Sequence, residues 1–70
     1  MKNNIRVERA IARMTQQQLA EQVDVSRQTI VAIEAGKYVP STVLALKIAH
    51  IFGRSFDDVF QLEEEDWQKE

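Results

Sequence analysis

The chain reads as an all-α domain of five short helices, and three features of its 70 residues carry that reading. Apolar residues recur at three- and four-residue spacing, whereas strict two-residue alternation never runs for long. Hydroxyl residues that suit helix starts stand at Thr15, Ser26, Ser41 and Ser55, each ahead of such an apolar run. Gly36 and Gly53 stand where two of those runs stop.

The first helix spans residues 5 to 13, with Ile5, Ala12 and the row Val7, Ile11 and Met14 as its apolar positions. Thr15 then caps a second helix over residues 16–23. With Gln18 it forms a T-x-x-Q capping box, in which each side chain satisfies a backbone N–H that the helix start leaves free. Leu19, Ala20 and Val23 form its buried stripe. Only Val23, Asp24 and Val25 separate it from Ser26, the cap of a third helix over residues 27–35. So short a hinge makes the two helices cross steeply rather than run antiparallel, which is helix-turn-helix geometry. Asp24 is the expected left-handed residue, since Asp tolerates positive φ better than most side chains. Ala20 lets the backbones approach at the crossing, and Val25, Ile30 and Ile33 bury the underside of the third helix.

Gly36 ends that helix, and Lys37 to Pro40 form a loop closed by the Ser41 cap of a fourth helix. This one runs through Phe52 and is apolar on most sides, from Val43 and Leu44 to Ile51, which predicts a buried central helix. Gly53 stops it. Ser55 and Asp58 open a fifth helix, with Phe56, Val59 and Phe60 at helical spacing. Gln61-Leu62 suits a short strand. The folded domain is therefore expected over residues 1–62, with an acidic, solvated tail over 63–70.

Charge and composition narrow the function. Cysteine is absent and the single His50 has only scattered carboxylates around it, so no metal and no cofactor is expected. One His without a Cys also leaves no nucleophile, base and orienter from which to assemble an enzyme. The longest apolar stretch, around Val43 to Phe52, is interrupted by Lys47 and His50 and is too short to span a bilayer. The opening MKNNIRVER lacks a signal-peptide core, so a cytoplasmic protein is expected. A net charge of −2 argues at first against nucleic acid. The acids are unevenly placed, however: residues 1 to 60 hold eight Lys/Arg against six Asp/Glu, and the last ten residues supply the deficit. A core this small also makes a second copy of the chain an expected source of stability.

Winding the third helix at about 100° per residue puts Ile30 and Ile33 inward and Gln28, Val31, Ala32 and Ala35 outward, with Arg27 at the flank. That outward face is small and carries no acid, unlike an ordinary solvated face. It suits close approach to a DNA groove, where Gln bonds adenine, Arg bonds guanine, and Val or Ala touches a thymine methyl. It would equally suit packing on the first helix or on a partner chain. Glu34 lies toward the core side of the same helix and needs a cation. Arg9 on the first helix is the candidate. Gln16, Lys37, Tyr38 and the N–H groups near Ser41 and Thr42 are placed to hold phosphates on either side.

The run T-Q-x-x-L-A-x-x-x-x-V-S-R-Q-T-I-x-x-I-E-x-G-K-Y-x-P resembles the Cro/repressor-type (Xre-like) helix-turn-helix family, and is similar to the small stand-alone bacterial regulators like the cytolysin repressor. The resemblance covers about residues 5 to 62. It implies a five-helix, lambda-repressor-like domain that binds double-stranded operator DNA as a homodimer. Base contacts are implied for Arg27, Gln28, Val31 and Ala32, phosphate contacts for Gln16, Lys37 and Tyr38, and an ion pair for Arg9 and Glu34. In such regulators the termini pair as a short antiparallel sheet; Lys2 to Asn4 and Gln61 to Glu63 are the candidates. Three departures stand out: Asp24 replaces the usual hinge Gly, Ala32 cannot hydrogen-bond a base, and the acidic tail with Trp67 matches no DNA-binding need.

A sequence-specific transcriptional regulator, acting as a repressor on a near-palindromic site, is the leading expectation. Its two recognition helices would lie about 34 Å apart, with the surface around Phe60 and Leu62 as the dimer contact. The alternative is a protein-interaction module, an antitoxin or accessory subunit, that uses the acidic tail and binds DNA only secondarily.

Overall fold

The computed structural model describes residues 1–68. Among them the order is β1 (Lys2–Asn3), α1 (Ile5–Ala12), α2 (Gln16–Gln22), α3 (Arg27–Glu34), α4 (Thr42–Ile51), α5 (Phe56–Val59), β2 (Phe60–Gln61) and a 3₁₀ turn over Glu64–Trp67. The first four helices each stop one residue earlier than their periodicity suggests, and the reason is a shared stop device. The chain turns left-handed at Arg13, Asp24, Gly36 and Gly53. In each case the following N–H reaches back to the carbonyl five residues before it: Met14 to Arg9 at 2.9 Å, Val25 to Ala20 at 3.0 Å, Lys37 to Ala32 at 3.0 Å and Arg54 to Ala49 at 3.1 Å. Carbonyls that a helix end leaves free are thereby satisfied. Two of these turns use glycine, but Arg13 and Asp24 hold φ of 54° and 60° with a side chain present.

Starts are equally local. Thr15 and Gln18 form the reciprocal capping box, while the Ser26 and Ser41 hydroxyls accept from the N–H groups of Thr29 and Leu44. The helices close around one core, built from Ile5 of α1, Leu19 and Ala20 of α2, Ile30 and Ile33 of α3, Ile48 and Ala49 of α4, and Val59.

Two helices face differently from the sequence expectation. α1 turns Ile5 and Glu8 inward and leaves Val7 and Ile11 on the surface, Ile11 at 73% exposure. Glu8 tolerates this because Arg54, from the turn after α4, brings its Nε to 3.3 Å from Glu8 Oε2. α4 buries Leu44, Ala45, Ile48 and Ala49 but exposes Val43 and Leu46, so it is core-facing on one side only.

The termini pair as an antiparallel sheet with Lys2 opposite Gln61 and Asn3 opposite Phe60. The second strand thus starts one residue earlier than expected, and Asn4 has no strand partner. Asn4 instead leads into α1, donating its N–H to Val59 O at 2.8 Å and its Nδ2 to Asp58 O at 3.0 Å. Asn3 ties the sheet to α3: its Nδ2 donates to Ile33 O at 2.9 Å and its Oδ1 accepts from Ile5 N–H at 3.2 Å. Phe60, expected at a dimer contact, is 2% exposed and stacks on Phe56 at 5.3 Å, which puts its ring in the core of its own chain. Of the two residues named for that contact, only Leu62 is open to solvent.

The described part of the tail is exposed from Glu64 to Gln68 and forms the 3₁₀ turn. The Met1 ammonium lies 3.2 Å from Glu63 Oε1 and 3.0 Å from Asp66 Oδ2, and the Glu63 N–H donates to Asp66 Oδ2 at 2.7 Å. The Glu63 N–H first, and then the ammonium, hold the Asp66 carboxyl below the usual carboxylate range. Trp67 remains exposed. The last two tail residues, Lys69 and Glu70, lie outside the described residues.

A left-handed turn costs a non-glycine residue about 1–2 kcal/mol. Arg13→Gly is therefore expected to raise stability by roughly 0.5–1 kcal/mol, after the larger backbone entropy that glycine loses on folding is set against that strain. A urea melt with an unchanged or lower midpoint would mean that the turn at Arg13 holds no strain.

Candidate nucleic-acid interface

The left-handed Asp24 and the Ser26 cap turn the chain from α2 into α3, and one long side of α3 stays uncovered. Ile30 and Ile33 point into the core, while Arg27, Gln28 and Ala35 are exposed. Val31 is 39% exposed and Ala32 is half-buried. Gln28 and Val31 are one turn apart, so an amide and a small apolar group stand side by side on the open face.

Behind that face lies a hydrogen-bonded chain that joins three helices. Glu34 Oε1 accepts from Arg9 Nε at 2.5 Å, and Glu34 Oε2 accepts from Arg9 Nη2 at 3.3 Å and from Gln16 Nε2 at 2.9 Å. Arg9 Nη1 donates to Met14 O at 3.0 Å, across the α1 stop. Gln16 Oε1 in turn accepts from Arg27 Nη2 at 3.3 Å. The Arg9 and Glu34 side chains are only 16% and 8% exposed, so each is the other's main replacement for water. Glu34 is the only acid on α3, and here it is neutralised from behind.

The residues expected to hold phosphates are in different situations. Lys37, Tyr38 and Thr42 lie exposed in and after the loop that follows α3. Gln16 is half-buried at the first position of α2. Its carbonyl and one amide N–H are committed to Arg27 and Glu34, which leaves one N–H for anything outside. Sequence reasoning missed two supports, the Asn3 bond to the end of α3 and the Glu8–Arg54 pair. Both join residues about thirty or more positions apart, and neither carries a local signature. No group of three or more His, Cys, Asp and Glu among the described residues is placed to hold a metal ion, and none of the described helices is long and apolar enough to cross a membrane.

Removing one half of a buried pair strands the other charge, at roughly 3 kcal/mol or more. Arg9→Met should lower stability by about that amount in a denaturant melt, and Arg9→Met combined with Glu34→Leu should recover at least half of it. A single-variant loss no larger than that of a surface substitution would show that the pair does not hold α3.

Comparison with known proteins agrees with this geometry. A helix-turn-helix family model matches residues 5–59. The chain is 50% identical over 66 residues to an uncharacterised HTH-type transcriptional regulator of Methanocaldococcus jannaschii, covering 94% of this chain and 100% of that one. It is 52% identical over 65 residues to the uncharacterised HTH-type transcriptional regulator YgzD of Bacillus subtilis, covering 93% and 98%. Among solved structures it is similar to the clp gene regulator ClgR from Corynebacterium glutamicum, with a TM-score of 0.73 and 31% identity over 77% of this chain; the match spans 57% of the ClgR chain. With the open face of α3, its capped hinge and its buried ion pair in place, the chain belongs to the Xre-like helix-turn-helix family of DNA-binding transcriptional regulators, which are not enzymes.

Proposed function

We propose that the protein is a cytoplasmic repressor that binds a near-palindromic operator as a homodimer, with α3 of each copy in the major groove. The observation that carries this reading is the uncovered face of α3: an Arg, a Gln and small apolar residues, and an only acid that is paired with Arg9. Gln28 is the adenine reader, Arg27 the guanine reader, and Val31 and Ala32 meet thymine methyl groups. Lys37, Tyr38, Thr42 and the remaining N–H of Gln16 fix the register on the phosphates. A base-reading set with only two long polar side chains gives limited discrimination by itself, which supports two half-sites read at once. Leu62, exposed beside an apolar groove of about 410 Å³ lined by Met1, Phe56 and Phe60, is the candidate dimer contact.

A second reading draws on Trp67, which is 74% exposed next to Glu64 and Glu65 and unexplained by DNA binding. In it the tail binds a basic partner protein, and removal of residues 63–70 would abolish that complex while leaving operator binding in place.

Selection of bound duplexes from a random pool tests the main reading. A two-fold-symmetric site should emerge, and Gln28→Ala should lose about tenfold or more on that site but little on unrelated DNA. Recovery of no consistent site would sink the regulator reading in favour of the tail.

A further inference from the structure

We infer that Arg6 of α1 is a further contact to the DNA backbone, extending the phosphate-binding surface beyond the helix-turn-helix segment; this rests on the proposed binding of α3 to DNA. A cleft of about 520 Å³ separates α1 from α3 on the open side of the recognition helix, lined by Asn3, Arg6, Val7, Gln16, Val31 and Ala35. It therefore adjoins both the base-reading Val31 and the phosphate-facing Gln16.

Winding α1 at about 100° per residue places Arg6 one turn before Arg9, on the edge of the helix that faces α3, and Glu8 on the opposite edge. The contacts agree with that division: Arg9 meets Glu34, whereas Glu8 meets Arg54. The other polar side chains of the cleft are committed. Asn3 donates to Ile33 O, Asn4 donates to Asp58 O, Gln16 bridges Glu34 and Arg27, and Glu34 is neutralised by Arg9. Arg6 is exposed and makes no side-chain hydrogen bond or ion pair among the described residues. The cleft thus carries one uncompensated positive charge.

A charge in that place has a definite ligand class. With α3 in the major groove, the wall of the groove on the α1 side is a strand of phosphodiesters, the same strand that Gln16 approaches. A planar guanidinium with five donors suits a phosphate oxygen pair. Arg13, in the turn that ends α1, supplies the internal contrast, because it lines a different cleft with Gln18, Glu21 and Gln22.

The test is titration of wild type, Arg6→Gln and Arg13→Gln against the selected duplex and a random-sequence duplex, from low to moderate salt. Arg6→Gln is expected to weaken both complexes by the same factor, about five- to tenfold near 0.1 M salt, and to make the slope of log K against log salt shallower by about one. Arg13→Gln should leave the slope as in wild type. An Arg6→Gln slope equal to wild type overturns the assignment, and so does an equal loss in the two variants, which would mark a bulk-charge effect. Loss on the selected duplex alone would make Arg6 a base reader and equally reject a backbone role. Wild type that binds neither duplex would reject the DNA-binding reading itself, together with this contact. A thermal melt of Arg6→Gln that matches wild type guards against an effect on folding.

Discussion

A carboxylate on the core side of a helix is costly unless a cation meets it, and the arrangement of the first three helices follows from how this chain supplies one. Arg9 reaches Glu34 from α1 with two donors, anchors its third nitrogen on the carbonyl of Met14, and leaves Gln16 to complete the carboxylate's coordination. One pair thereby fixes the positions of α1, α2 and α3 relative to each other. Apolar packing alone would tolerate small slides and rotations of α3, whereas paired, hydrogen-bonded groups with few alternatives define one arrangement. Through Gln16 the same chain of bonds ends on the guanidinium of Arg27, so the internal electrostatics and the outer surface are parts of one network.

Four acids are paired with cations in this manner across the described residues, Glu34 included. Glu8 is met by Arg54, Glu34 by Arg9, and Glu63 and Asp66 by the ammonium of Met1. Acids held in pairs contribute little repulsion at a distance, since each sits beside its opposite charge. The side of α3 that faces outward keeps Arg27, with Arg6 at the flanking cleft and Lys37 in the loop beyond. The surface around α3 is therefore locally more basic than the net charge of −2 suggests.

Most of the helix-turn-helix segment was legible in the sequence because its determinants are local. The Thr15–Gln18 box, the Ser26 and Ser41 caps, the left-handed Asp24 and the stops at Gly36 and Gly53 each act within a few residues. The misreadings share the opposite cause. Spacing alone puts Val7 and Ile11 on the apolar row of α1, whereas Glu8 turns inward to meet its distant partner Arg54. Phe60 looked available because the strand that begins there is paired by Lys2–Asn3, more than fifty residues away, and that pairing turns its ring onto Phe56. The Met1 ammonium adds contacts to Glu63 and Asp66 that no local pattern reveals, beside the local bond from the Glu63 N–H to Asp66. Arg13 was missed for another reason: a left-handed Arg is rare enough that sequence reading favours any other explanation.

What α3 touches can be read from the DNA side. In methylation interference on a selected duplex, guanine N7 methylation places a bulky group in the major groove, where an inserted recognition helix must collide with it. Two patches of major-groove interference are expected, with centres about one helical turn apart and equivalent under two-fold symmetry. Interference confined to the minor groove, or none at any guanine of a guanine-containing site that the protein still binds, would contradict the placement of α3 in the major groove.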